Sequence, residues 1–297
     1  MELESHFFND SIFDIEKQDY WVLERSYVYQ QEGVHTGWYK PYVEKLIKKD
    51  PKKYKYFLQQ NGFMDEKGSI NWPTYSVNGL GFRSDDWRSG KNGVIFLGCS
   101  DTFGVGNYLE NTAASIVSKE LGLRNYNLAV PGGGLDQAYR VLKTHIADIQ
   151  GNMVFLIVPE PTRREIFTKH TTVPLSPSSW SNGLTKQNLK DFYDVKTLEE
   201  FYFKLMCEKK YTFIETQKNI DAIKYLCKEY DKHFILLKNP VIYEDKSSRV
   251  IRKKSRIDIP LKALKVAKGN IRDLACDLLH PGPHFQKLLA KNLLKKL

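Results

Sequence analysis

Ser100, Asp277 and His280 are far apart in this chain, yet together they supply the three groups of a serine nucleophile. A serine hydroxyl attacks poorly until a base takes its proton, and a carboxylate must hold that base in the right tautomer. The C-terminal run Asp277-Leu278-Leu279-His280-Pro281-Gly282-Pro283-His284 offers both partners, with only Leu278 and Leu279 between them. In a tight turn the carboxylate reaches one imidazole nitrogen and leaves the other to face Ser100. Pro281 and Pro283 stiffen this turn just before the last helix. The rival reading is an Asp helix cap beside a surface His. His284, near the start of that helix, is a second candidate for the base. The other five histidines have no comparable carboxylate context.

Ser100 itself lies in the loop Gly98-Cys99-Ser100-Asp101-Thr102-Phe103-Gly104-Val105-Gly106. Small neighbours admit a substrate, and the amides of such a turn can hold an oxyanion. A phosphate cradle is the competing chemistry, because glycines before a helix also suit anions. The known signatures are incomplete on both sides. G-x-x-x-x-G-K-[ST] is absent, and Gly104-Val105-Gly106 lacks the third glycine of the dinucleotide fingerprint. The G-x-S-x-G elbow fails too, since Thr102 stands at its last position.

The elements that must position these groups alternate. Val94–Leu97, Tyr126–Val130, Met153–Val158 and Phe234–Leu237 are short apolar runs, which read as buried parallel strands. Helices fit between and after them, at about 111–121, 136–149, 214–229 and 283–296. Strand–helix alternation predicts an α/β fold: a three-layer α/β/α sandwich with a mainly parallel sheet. Ligands bind at the carboxyl ends of such strands. Those ends are the loops at Gly98–Gly106, Pro131–Gly134 and Pro159–Arg164. Residues 1–74 read as a helical N-terminal extension, from Val43, Leu46 and Ile47 and then Tyr54, Phe57 and Leu58. Residues 75–297 form the main domain. Residues 71–90 are turn-rich, and about 168–206 breaks the alternation as an insertion or lid.

Taken together, these segments resemble the SGNH hydrolases, the GDSL-like family. Val94–Gly106 is similar to that family's first block, which supplies the nucleophile and one oxyanion amide, both mapping to Ser100. Asn127-Leu-Ala-Val-Pro-Gly132 resembles the second block, whose glycine amide, here Gly132, is the second donor. Asp277-x-x-His280 resembles the last block. Tyr75-Ser-Val-Asn-Gly-Leu-Gly-Phe-Arg83 is similar to a lead-in often seen before the domain. The chain departs from the family twice. Cys99 replaces the usual Asp of the first block. Pro159-Glu160-Pro161-Thr162-Arg163-Arg164 replaces the G-x-N whose Asn is the third donor, leaving Thr162 or Arg163 for that role. The resemblance implies a serine esterase or acylhydrolase that cleaves an O-acyl ester, such as a small acyl ester or an acetylated sugar. The alternative is a binding protein of the same fold that recognises an anionic or glycan partner.

The rest of the chain narrows the classes. The net charge of +10 invites a polyanion partner, and nine Lys or Arg face one acid between Lys246 and Lys268. A second basic run covers Lys45–Lys55. No nucleic-acid motif accompanies either, so both read as solvated faces and nucleic acid is not the expected partner. Cys99, Cys207, Cys227 and Cys276 form no C-x-x-C pair, which gives neither a zinc nor a thioredoxin motif. No cofactor or metal is called for. No apolar run reaches the roughly 18–20 residues of a membrane span, and the acidic start lacks a signal-peptide pattern. The expectation is a cytoplasmic protein acting on a small-molecule or glycan ester.

Overall fold

The computed structural model describes residues 33–37, 39–167, 172–181, 183–191, 193–238 and 273–297. The basic stretch Lys246–Lys268 lies outside them, as do the first part of the N-terminal extension and a few positions of the 168–206 segment.

In chain order the elements are β1 (Gly33–Thr36), α1 (Lys40–Lys49), α2 (Pro51–Gln60), β2 (Thr74–Val77), β3 (Gly93–Leu97), α3 (Ser100–Phe103), α4 (Ala113–Glu120), β4 (Arg124–Asn127), α5 (Leu135–His145) and β5 (Met153–Val158). They continue with β6 (Arg164–Phe167), β7 (Thr172–Leu175), α6 (Pro177–Ser181), α7 (Leu184–Leu189), α8 (Val195–Phe201), α9 (Lys209–Glu229), β8 (His233–Lys238) and α10 (Pro283–Leu294).

The central sheet runs β4-β3-β5-β8, and every neighbouring pair is parallel. Three of its strands, β3, β5 and β8, are apolar runs of the sequence; β4 is Arg124–Asn127 rather than the expected Tyr126–Val130, whose buried Leu128–Val130 follow the strand as loop. Every residue of β3 is buried, as a strand covered on both faces requires. Alternate side chains go to opposite layers. Ile95, Leu97, Val154, Leu156 and Val158 pack with Val141 and Leu142 of α5 and Ile223 and Leu226 of α9. Val94, Phe96, Phe155, Ile157, Ile235 and Leu237 pack with Val117 of α4 and Leu289 and Leu293 of α10. Phe96 and Phe155 stack at 5.4 Å in that second layer. Helices therefore cover both faces, and the molecule is a three-layer α/β/α sandwich. Each such buried side chain contributes roughly 1.5–3 kcal/mol of apolar transfer.

The strand order places a switch point at β3. The chain leaves β3 for β4 on one side and returns to β5 on the other, so a crevice opens at the carboxyl end of β3. Ser100 follows directly.

The N-terminal region is helical over α1 and α2, where the periodicity predicts it. Asp50 separates the two helices and caps α2 by accepting the Lys53 amide at 3.1 Å. The lysines of the Lys45–Lys55 run are exposed. The region also contains β1, which pairs antiparallel with β2 across the expected boundary at residue 74. Tyr39, Val43, Leu58, Phe63 and Tyr75 share one apolar cluster with Phe103, Val105, Cys276 and Leu278. That cluster lies behind the candidate site, so this region supports the crevice.

The segment expected as an insertion builds its own small core. Val173, Leu175, Trp180, Leu189 and Tyr202 pack together, and β6 pairs antiparallel with β7. All four cysteines are free thiols, and burial raises Cys99, Cys227 and Cys276 above the ordinary thiol value.

Candidate active site

The loop after β3 is shaped by glycine. Gly98 has φ +158°, and a β-carbon there would stand 2.1 Å from Thr102 Oγ1. The chain then passes through extended Cys99 and enters α3 at Ser100. As the first helical residue, Ser100 has an amide outside the intrahelical ladder. Its carbonyl accepts from Gly104 and Val105, both at 3.0 Å, which closes the loop tightly. Ser100 is 5% exposed.

The C-terminal turn brings Asp277 and His280 together. Asp277 Oδ2 contacts His280 Nδ1, while Oδ1 accepts the amides of Leu279 at 3.1 Å and His280 at 3.0 Å. Leu278 takes a left-handed φ of +60° so that the chain can fold back, and the Ala275 amide donates to the His280 carbonyl at 2.9 Å. The imidazole is 21% exposed against 2% for the carboxylate, so the ring is reachable and the carboxylate is sealed. Nδ1 faces the carboxylate and is therefore the donor, which leaves Nε2 with a lone pair. Burial pulls His280 down, but the charge and hydrogen bond of Asp277 more than offset it and hold the imidazole above its ordinary value. Asp101 adds to the rise and Arg163 opposes it.

The helix-cap reading belongs to a different residue. Asp273 accepts the amides of His284 and Phe285 at the start of α10. His284 is exposed there, with no contact to Asp277.

The turn docks on the serine loop through several bonds. The Cys276 amide donates to the Gly106 carbonyl at 2.9 Å. Asn107 Nδ2 donates to the Pro281 carbonyl at 3.0 Å. Gln286 on α10 donates to the Asp101 carbonyl at 2.9 Å and accepts the Ala113 amide at 2.8 Å. Gly106, at φ +73°, makes this docking possible, because a β-carbon would stand 2.8 Å from Ala275 Cβ.

The lead-in segment contributes Arg83 and Tyr75. The guanidinium is buried and donates to the carbonyls of Phe103 (3.2 Å), Gly104 (2.9 Å) and Asn107 (2.9 Å). It lies 4.4 Å from the centre of the Tyr75 ring. The Gly106 amide donates to Tyr75 Oη at 2.7 Å. Burial, first of all, pushes the Tyr75 hydroxyl up to about 12. The sequence alone does not mark these residues as supports of the site. Arg83 had a signal in the lead-in motif and Gly106 in the paired glycines; Tyr39, which packs beside Tyr75, had none.

The remaining candidates lie on the neighbouring strand ends. Gly132, at φ +81°, is in the turn after β4. Asn127 anchors that turn, donating to the Thr102 carbonyl at 2.9 Å and accepting the Ala129 amide at 3.1 Å. Thr162 and Arg163 are in the turn after β5. The Thr162 hydroxyl donates to Glu160 Oε1 at 2.8 Å, and Tyr202 donates to the Thr162 carbonyl at 3.1 Å. Arg163 lies near enough to act electrostatically on both His280 and Cys99. Among the described residues no group of three or more His, Cys, Asp or Glu could hold a metal ion. No helix among them is long and apolar enough to cross a membrane.

No protein-family model matches the chain, and no curated protein matches it. A solved structure titled "Crystal Structure of TesA" is similar at 12% identity, over 70% of this chain and 98% of that chain, with a TM-score of 0.39. The α/β/α fold rests on the parallel strand order and the helical layer on each face of the sheet.

Proposed function

We propose that the chain is a serine hydrolase of O-acyl esters, with Ser100 as nucleophile, His280 as base and Asp277 as its orienting carboxylate. The observation that carries this reading is the Asp277–His280 contact, in a turn bonded to the loop that holds Ser100. Ser100 Oγ attacks the acyl carbon while its proton passes to His280 Nε2. The carbonyl oxygen becomes an oxyanion, held by the amides of Ser100 and Gly132. Collapse expels the alcohol, which takes the proton from His280. Water, deprotonated by the same imidazole, then frees the acid and regenerates Ser100. The Thr162 hydroxyl bonds Glu160 Oε1 at 2.8 Å while Arg163 pairs with Oε2 at the longer distance of 3.7 Å, and Arg163 is the third donor in this reading. Small acyl esters and acetylated sugars are the proposed substrate class. The purified protein should cleave a short-chain aryl acetate, and Ser100→Ala should abolish turnover; equal turnover by the variant refutes the assignment.

One observation favours a second reading, a binding protein with the same fold. The turn after β5 has neither the Gly nor the Asn of the resembled third block, and losing an oxyanion donor costs ~10²–10³ in rate. A folded protein that leaves aryl acetates intact while retaining an anionic glycan would support it.

A further inference from the structure

The turns carrying Gly132 and Arg163 are joined by a network that takes no part in the chemistry above. Asp136, in the first turn of α5, accepts the Gln137 amide at 2.9 Å through Oδ1 and the Glu165 amide at 2.7 Å through Oδ2. Its carboxylate thus bridges the helix after Gly132 to β6, the strand that begins immediately after Arg163. Arg140, one turn along α5, grips Glu165 with Nε at 2.9 Å and Nη2 alongside, and both side chains are buried. Gly134 completes the contact. A β-carbon there would stand 2.6 Å from Asp136 Oδ1 and 2.7 Å from the Arg163 carbonyl oxygen. Its φ of −101° suits any residue, so closeness rather than conformation excludes a side chain.

We propose that Asp136 and Gly134 are positioning residues which set the distance between Gly132 and Arg163, and hence the width of the oxyanion pocket. The inference rests on the hydrolase reading. The link joins the two strand-end turns that, in that reading, hold one small anion between them. The link is also costly. The charges acting on Asp136 are Glu165 and Arg164 of β6. Burial and then the Glu165 charge push its carboxyl up to about 6. A group kept at such a cost suits a site where geometry matters more than stability.

The test is steady-state hydrolysis of a short-chain aryl acetate by the full chain, with folding followed by thermal melting. Asp136→Asn keeps one acceptor but turns an NH₂ group toward a backbone N–H. Gly134→Ala forces the Arg163 carbonyl and the Asp136 carboxylate away while leaving every charged side chain in the protein. Each should lower kcat on the order of 10- to 100-fold, the scale of a ~1 Å misplacement, while KM changes less than about twofold. Should Asp136→Asn melt below the assay temperature, Gly134→Ala decides. Unchanged kcat in the folded variants, or a rise in KM at constant kcat, overturns the positioning role and leaves the hydrolase reading standing. Absence of Ser100-dependent turnover in the unaltered protein overturns both.

Discussion

Gly106 lies so close to Asp277 that a β-carbon at position 106 would stand 3.0 Å from Asp277 Oδ1 and 3.1 Å from its amide nitrogen. The residues are distant in sequence, yet this close approach sets the Asp277–His280 turn against the loop that holds Ser100. Gly106→Ala should fail twice. Its left-handed φ costs about 1–2 kcal/mol for a residue with a β-carbon, and overpacking against Ala275 and Asp277 adds about 1–3 kcal/mol. Denaturant unfolding should show the loss, and esterase activity should fall further than stability alone explains. A variant with native stability and turnover contradicts the tight docking.

Asp277 should control the pH profile. Its charge holds His280 above the ordinary 6.5, and the proposed general-base step needs the neutral imidazole. The acid limb of kcat/KM should therefore lie above pH 6.5. Asp277→Asn should move it to lower pH and reduce kcat by several orders of magnitude. The same pairing has a stability signature. A histidine raised in the folded state is stabilising below its unfolded value, and that contribution is lost as pH rises through the folded value. Unfolding free energy should accordingly decline across that window in the unaltered protein and stay flatter in Asp277→Asn.

Arg83 should act on stability first. Arg83→Met leaves the carbonyls of Phe103 and Asn107 without the guanidinium and Gly104 with the Asn107 amide alone, at a cost of about 3 kcal/mol. Arg83→Lys should lie between, since a point ammonium cannot reproduce the fork. Equal melting temperatures for Arg83→Met and the unaltered chain would refute this.

Arg163 carries the most specific chemical prediction. If its guanidinium replaces the missing amide donor, Arg163→Ala should lower kcat by ~10²–10³ with little change in KM. Thr162→Val should cost much less, because that hydroxyl already serves Glu160. The reverse order would exchange their roles.

Much of this was legible in the sequence for physical reasons. The strands Val94–Leu97 and Met153–Val158 are covered on both faces, so unbroken apolar runs betray them. Asp277 and His280 are three positions apart, so one turn suffices to join them. What stayed hidden depends on distant contacts. β1 and β2 are short, and their pairing joins residues some forty positions apart. The turn-rich appearance of 71–90 concealed β2 for that reason. Asp273, not Asp277, caps α10, because its carboxylate reaches across eleven and twelve residues. Asp136 stands at the expected start of the 136–149 helix, and its bond to the Glu165 amide depends on β6, which the sequence pattern does not mark.

The most direct measurement is covalent labelling of the folded protein with a fluorophosphonate, with the adduct located by mass spectrometry. A serine becomes a rapid nucleophile only when a base is placed to take its proton. One adduct is expected, on Ser100, formed much more slowly in His280→Ala. No adduct on Ser100, or labelling at the same rate without His280, would contradict the hydrolase reading.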